Sequence, residues 1–174
     1  MSINFRAVRG LRQQPLLVCV SSPAFECVTA GGFPLRAAAN VGRLIKLWEA
    51  REAPYTAVRS NNVERAQGGW GPSRELFEAG ELVFDSVRCS LLRNHKFRSF
   101  HDDIGAPPIM MIGGGLESTI VATAIDAYWF NIPLTVIGDA VFPTRNFTEA
   151  ECSTTLKILS NFVDVVNLEY VEND

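Results

Sequence analysis

The feature that most constrains the fold of this chain is the regular alternation of short apolar runs with amphipathic stretches. Pro15–Val20 is a continuous apolar run closed by Ser21-Ser22-Pro23, which is the pattern of a strand buried on both faces. An amphipathic helix is predicted over Ala37–Ala50, and Pro54–Val58 follows as a second strand. A strand–helix–strand unit of this length predicts two parallel strands joined by a crossover helix.

The same alternation continues to the end of the chain. Further strands are predicted at Glu81–Phe84, Pro107–Ile112, Ile132–Ile137 and Val163–Leu168, and further helices at Leu91–His101, Glu117–Phe130 and Phe147–Phe162, with Asn146 as the cap of the last helix. Alternating strands and helices predict an α/β fold, a three-layer α/β/α arrangement with a mostly parallel central sheet. The 174 residues suit one domain spanning residues 1–174.

Composition excludes several classes of function. The net charge of -3 argues against nucleic-acid binding, which needs clustered cations for the phosphates. Arg88, Arg93, Lys96 and Arg98 do form a basic stretch, which we interpret as a solvated helix face. The apolar runs fall far short of the roughly 20 residues that cross a bilayer, so no membrane role is expected.

The cysteines indicate the cellular compartment. The four cysteines show no CxxC pair and no dense disulfide spacing, and no signal peptide precedes them. We expect reduced thiols in a cytoplasmic protein. Cys19, inside an apolar strand, is interpreted as a buried structural thiol, as is Cys89 beside Arg88, although a relocated nucleophile at either position is the alternative.

Three consecutive glycines join a predicted strand to a predicted helix. Gly113, Gly114 and Gly115 allow positive φ and close approach of a ligand, and the helix that begins near Leu116 offers N–H groups and the positive end of its dipole. Two interpretations remain open: a tight turn that only lets the helix pack on the strand, or an anion or oxyanion pocket that includes Ser118. A nucleotide loop is disfavoured, because neither GxGxxG nor GKS/GKT is present.

A family resemblance appears around this turn. Met110–Ala127, with Ala122-Thr-Ala-Ile-Asp-Ala127, and Pro133–Ala140, ending in Asp139-Ala140, resemble the most characteristic part of the isochorismatase-like cysteine hydrolases. The resemblance extends over nearly the whole chain through the order and spacing of its elements. It implies the Rossmann-like hydrolase fold of that family, a site at the carboxyl ends of the strands, and assembly as a homodimer or higher homo-oligomer.

The resemblance also indicates where the family's catalytic residues fall. Active members use an Asp after the first strand, a Lys after a middle strand and a Cys at the helix start, with backbone N–H groups holding the oxyanion. These positions fall on Val20, Ser86 and Thr119, so standard cysteine-hydrolase chemistry is not expected. A shift of one residue would place Asp85 at the Lys position.

The resemblance leaves three functions open. The first is a catalytically degenerate protein with a small-molecule pocket at the glycine turn. The second is an active hydrolase of a small amide or vinyl ether in which Glu117 or Asp85 replaces the missing acid; for Glu117, a charge that favours the helix dipole is the alternative explanation. The third is a structural or regulatory subunit, with Trp48 and Trp129 either at an interface or in the core. No cofactor is expected, and a metal is disfavoured because the two histidines, His95 and His101, lie in a polar helical segment.

Overall fold

The computed structural model describes residues 14–21, 33–60, 83–86, 90–143 and 147–172, and these segments contain a six-stranded parallel sheet. The strands are β1 (Leu16–Ser21), β2 (Tyr55–Ser60), β3 (Val83–Ser86), β4 (Ile109–Gly113), β5 (Leu134–Val141) and β6 (Asp164–Val166). Their order across the sheet is β3-β2-β1-β4-β5-β6, with parallel pairing throughout. This is the strand order of doubly wound, Rossmann-like sheets.

The helices lie between the strands, as expected from crossover connections. They are α1 (Phe33–Ala50), α2 (His95–Asp103), α3 (Val121–Phe130), α4 (Glu149–Leu159) and α5 (Leu168–Glu172). A 3-10 turn at Leu91–Arg93 precedes α2, and a π-helical turn at Leu116–Ile120 leads into α3. None of the helices in these described segments is long and apolar enough to cross a membrane.

The continuous apolar run of β1 is explained by the two helix layers. Leu16, Val18 and Val20 pack in a core on the face covered by α2, α3 and α4, whereas Leu17 and Cys19 pack on the opposite face against α1 and α5. Successive strand side chains point to opposite faces, so a strand covered on both sides needs apolar residues at every position. Full burial of each such Val or Leu side chain contributes about 1.5–3 kcal/mol. The predicted α/β/α fold is confirmed.

Two local predictions need correction, and the structure distinguishes the environments of the two tryptophans for which the sequence left core and interface open. Helix α4 is capped by Thr148, whose Oγ1 accepts from the Glu151 N–H while the Glu151 carboxylate accepts from the Thr148 N–H; Asn146 lies outside the described residues. The predicted last strand is shorter than expected, because α5 begins at Leu168. The two tryptophans have opposite environments: Trp48 is buried in the core, whereas the side chain of Trp129 is 74% exposed.

Candidate functional site at the glycine turn

Several of the predicted site residues lie at the carboxyl ends of the two central strands, β1 and β4. The strand order reverses at β1 and β4, because the chain fills one half of the sheet with β2 and β3 before it crosses to β4. Ligands of doubly wound sheets bind in the crevice at this point. Val20 of β1 and Gly113 of β4 are partners in the sheet, so these two candidate residues are neighbours in space.

Glycine is required at position 113 because the backbone of β1 approaches closely. Gly113 has φ +99°, and a Cβ added there would lie 2.3 Å from the Val20 carbonyl oxygen. The Gly114 N–H donates to the same oxygen at 2.9 Å, and the Phe142 N–H donates to the Gly113 carbonyl at 3.0 Å. The turn is therefore held between β1 and the segment after β5.

Gly115 opens the helix in the left-handed conformation, with φ +77°. Its carbonyl oxygen accepts from the Ser118 N–H at 3.0 Å, from the Ile120 N–H at 3.1 Å and from the Ser118 hydroxyl at 3.4 Å. The bond from residue 120 to residue 115 widens the first turn into a π-helix, a feature often found at functional sites. This wide turn carries Glu117, Ser118 and Thr119, all of which the sequence analysis placed at the site.

The two residues that the sequence resemblance assigns to the family's catalytic Asp and Cys positions are both fully buried. Val20 and Thr119 are each 0% exposed. Val20 pairs with Val58, and Val58 pairs with Phe84, so a row of buried apolar residues runs across the sheet from the glycine turn. An apolar row of this kind supplies neither a general base nor a charge to activate a hydroxyl.

The third position lies at the end of β3. Asp85 pairs with Arg59 and Ser86 with Ser60 along the backbone, which places both candidates at the carboxyl edge of the sheet. The structure describes the backbone of Asp85 and Ser86 but not their side chains. Residues Cys27, Arg88 and Cys89 lie entirely outside the described part of the chain. The one-residue ambiguity in the sequence comparison at this point therefore stays open.

Two thiols have environments that suppress their reactivity. Burial raises the pKa of Cys19 to about 12, as expected for a structural thiol. The pKa of Cys152 is also raised, first by burial and then by the carboxylates of Glu117, Glu151 and Glu149. The π-helical turn that carries the half-buried Glu117 lies against α4.

The threonine and aspartate of the Ala-Thr-Ala-Ile-Asp-Ala segment have roles that the sequence analysis did not foresee. Thr123 Oγ1 accepts from the Leu91 N–H at 3.0 Å, and the Asp126 carboxylate accepts two hydrogen bonds of 2.7 Å from the Arg93 guanidinium. The bond to Arg93 is the main reason that the pKa of Asp126 is lowered. Both side chains therefore fix the turn before α2, which lies on the β3 side of the site.

Asp139 of the second family segment is also structural. Its Oδ1 accepts from the Leu168 N–H at 2.8 Å, so it holds the first residue of α5. Its carbonyl oxygen accepts from the Asn40 side chain of α1 at 2.8 Å, and the neighbouring Ala140 is fully buried. Asp139 thus joins β5 to the helices on one face of the sheet.

The basic stretch and its histidines are only partly a solvated face. Arg98 is exposed, but its guanidinium lies 5.3 Å from the centre of the Phe130 ring, and Arg93 is paired with Asp126. His101, which the sequence analysis placed in a polar helical segment, is buried, with Nε2 2.7 Å from the Pro107 carbonyl oxygen. Among the described residues, no group of three His, Cys, Asp or Glu side chains is arranged to hold a metal ion.

Comparison of the fold with solved structures identifies the architecture. No protein-family model and no curated protein sequence matches the chain. An isochorismatase from Pseudomonas putida KT2440 has a TM-score of 0.72 at 16% identity, over 98% of this chain and 99% of its own. The chain has the isochorismatase-like hydrolase fold.

Other proteins of the isochorismatase-like fold differ in what they do. The nicotinamidase of Staphylococcus aureus has a TM-score of 0.70 at 14% identity, over 88% of this chain and 97% of its own. The YcaC gene product of Escherichia coli, an octameric hydrolase of unknown specificity, has a TM-score of 0.70 at 15% identity, over 88% of this chain and 74% of its own. Because a shared fold does not carry a shared activity, these likenesses establish the architecture and leave the chemistry to the site residues.

Proposed function

We propose that this chain is a one-domain protein of the isochorismatase-like group that has lost the Asp-Lys-Cys chemistry and binds a small anionic ligand at the glycine turn. The observation that carries the proposal is that the glycine turn is intact while two of the positions assigned to catalysis hold fully buried residues, the apolar Val20 and the hydroxyl-bearing Thr119. The scaffold of the site is kept while its reactive groups are replaced.

The loss of hydrolysis follows from the chemistry of the replacements. Valine cannot accept a proton, and a threonine hydroxyl is a weak nucleophile unless an adjacent base activates it. Complete burial makes a Thr119 alkoxide still less favourable, because a low-dielectric environment disfavours the charged form. Asp126 of α3 is a buried carboxylate, but it already accepts two hydrogen bonds from the Arg93 guanidinium.

Ligand binding is supported by the backbone of the turn. Gly113 and Gly115 both have positive φ, which brings the main chain close to the crevice, and the helix start that follows carries a partial positive charge. A carboxylate or a similar oxyanion is the chemistry that such a helix start favours. The N–H groups of Gly114, Leu116 and Ser118 already donate to the carbonyl oxygens of Val20, Phe142 and Gly115. We therefore assign ligand contact to the Gly115 N–H and to the half-buried Ser118 hydroxyl, whose bond to the Gly115 carbonyl is long at 3.4 Å.

The loss of catalysis is tested by turnover. The protein is incubated with a series of small amides and vinyl ethers, and we expect rates no higher than those of the buffer. Robust turnover that disappears in Thr119→Ala would contradict the proposal, since it would identify the hydroxyl as a working nucleophile.

Binding is tested by calorimetric titration with small carboxylates such as acetate and benzoate. Ser118→Glu places a negative charge at the helix start, which favours the helix dipole but repels an anionic ligand. We expect saturable binding to the parent and at least tenfold weaker binding to Ser118→Glu. Ser153→Glu, on the exposed face of α4, adds the same charge elsewhere and should bind as the parent does. No binding to the parent, or equal binding to all three proteins, would count against the site.

A second candidate function is an active hydrolase with changed machinery. Its support is Glu117, a half-buried carboxylate inside the π-helical turn itself, two residues before Thr119. In this alternative Glu117 activates Thr119 or a water molecule. Turnover abolished by Glu117→Gln, with the fold unchanged by circular dichroism, would favour it over the degenerate protein.

We also propose that the chain assembles with itself. The octameric YcaC gene product shows that this fold supports homo-oligomers, and exposed aromatic side chains on α3 supply apolar surface for such a contact. The described cysteines, Cys19 and Cys152, are free thiols, which supports a reducing, cytoplasmic setting.

A further inference from the structure

The layer of α3 and α4 carries a concentration of exposed apolar side chains. Trp129 is 74% exposed, Ile158 56% and Tyr128 54%. Phe162, just after α4, packs edge-to-face on Tyr128 with ring centres 5.6 Å apart. Exposed aromatic residues that join into one surface mark an interaction site more often than isolated ones do.

The surface lies at one end of two parallel helices. Each of α3 and α4 returns from the carboxyl end of one parallel strand to the start of the next, so their C-terminal ends lie at the same edge of the sheet. Phe130, at this end of α3, is flanked by the guanidinium groups of Arg93 and Arg98, 5.5 Å and 5.3 Å from its ring centre. The two arginines partly cover Phe130. Trp129 and Tyr128 are therefore the more exposed aromatic side chains of α3.

Helix α4 continues this surface with an exposed stripe of its own. Glu151, Thr154 and Ile158 are all exposed, and their spacing of three and four residues places them on one helical face. Phe147 and Phe162 are exposed just before and just after the helix. The small residue Thr154 lies at the middle of the helix.

The acidic and basic residues of α4 lie at opposite ends of the helix. Glu149 and Glu151 lie in the first turn, and Lys157 lies in the last. A second copy of the helix, related by a two-fold axis near Thr154, would run antiparallel to the first. Lys157 then faces Glu151 of the other copy, and Ile158 faces Ala150.

The centre of the stripe suits a close helix crossing. Thr154 is small, and its Oγ1 already donates to the Ala150 carbonyl oxygen at 2.8 Å, so burial would not leave this hydroxyl without a partner. Glu151 is held in place by the capping box, where its Oε2 accepts from the Thr148 N–H at 2.7 Å and from the Thr148 hydroxyl at 2.8 Å. Glu151 is therefore already held in one orientation before it pairs with Lys157 of the other copy.

We infer that the face formed by α3 and α4 is the contact between two copies of this chain, paired antiparallel about a two-fold axis at Thr154, with Trp129 as the main anchor. The inference rests on the proposed self-assembly and adds the surface, the orientation and the central residue. Its basis is the self-complementarity of one helix, in which the acidic first turn and the basic last turn exchange places after a two-fold rotation about Thr154, as an isologous dimer requires.

Analytical ultracentrifugation of the full chain tests the surface. We expect a species of twice the 19.2 kDa monomer mass. Trp129→Ala and Ile158→Glu should each weaken the dimer by about 30-fold or more, as truncation or charging of a central contact does. Tyr170→Ala removes an equally aromatic side chain, 46% exposed, from α5 on the other face of the sheet, and it should leave the dimer unchanged.

A cysteine at the axis tests the orientation. Helices that cross at about 8 Å bring residues on the axis within the 4.4–6.8 Å Cα separation of a disulfide. Oxidation should therefore link Thr154→Cys into a covalent dimer, whereas Ser153→Cys, one residue around the helix, should link no more than the parent.

The outcomes separate this inference from the proposed assembly. A chain that stays monomeric at its highest soluble concentration overturns both. An oligomer that is indifferent to Trp129→Ala and Ile158→Glu, and that Thr154→Cys does not link, overturns the surface and leaves the assembly.

Discussion

Gly113 shows at the scale of a single residue why the turn tolerates so little change. Its φ of +99° strains any other residue, and the space for a Cβ is taken by the Val20 carbonyl oxygen. We expect Gly113→Ala to lower the free energy of unfolding by at least about 3 kcal/mol, measured by urea denaturation. Gly42→Ala is the control, because Gly42 lies inside α1 with nothing within 4 Å of an added Cβ. That change should stabilise the protein by about 0.5–1 kcal/mol. Equal effects of the two substitutions would contradict this account of the turn.

At the scale of an element, the start of α4 depends on its capping box. Thr148 and Glu151 satisfy each other's backbone N–H groups, which otherwise lose their partners when the helix forms. Thr148→Ala should cost about 1 kcal/mol of stability in urea denaturation, whereas Thr148→Ser keeps the hydroxyl and should cost much less. If Thr148→Ala and Thr148→Ser were equally destabilising, the methyl group and not the cap would be responsible. The same helix carries the inferred dimer contact, so Thr148→Ala should also weaken the dimer.

At the scale of the whole molecule, Asp126 and Arg93 join segments that are 33 residues apart in the chain. The hydrogen bond from Arg93 lowers the pKa of Asp126 in the folded protein, so the folded state retains the carboxylate charge more strongly than the unfolded chain does. The stabilisation is therefore present above the ordinary aspartate pKa of about 3.9 and is lost as the pH falls through the lowered value. We expect Asp126→Asn to be less stable than the parent at neutral pH, and the difference to shrink in urea denaturation below about pH 4. Arg36→Gln, which breaks an exposed 3.5 Å pair with Glu149, should change stability far less at every pH. A difference for Asp126→Asn that does not change with pH would rule out the ion pair as its cause.

The sequence by itself determined the layered fold and the position of the turn. Apolar runs such as Leu16–Val20 and the helical spacing in α1 depend only on local periodicity, and a run that is apolar at every position requires cover on both faces. The three glycines likewise marked the turn, because few other residues adopt its backbone. The resemblance to the isochorismatase-like hydrolases then gave the architecture that the structural comparisons support.

Only the tertiary structure decided which of the patterned residues are covered and which distant groups meet. Trp129 shares a helical face with Val121 and Ile125, which are half-buried, but it is itself 74% exposed, because periodicity identifies an apolar face and not whether a neighbour covers it. The partners of Thr123 and Asp126 lie more than 30 residues away, on the turn before α2. That pairing depends on the right-handed crossovers that place α2 and α3 side by side on the sheet, a consequence of strand order that no local pattern contains.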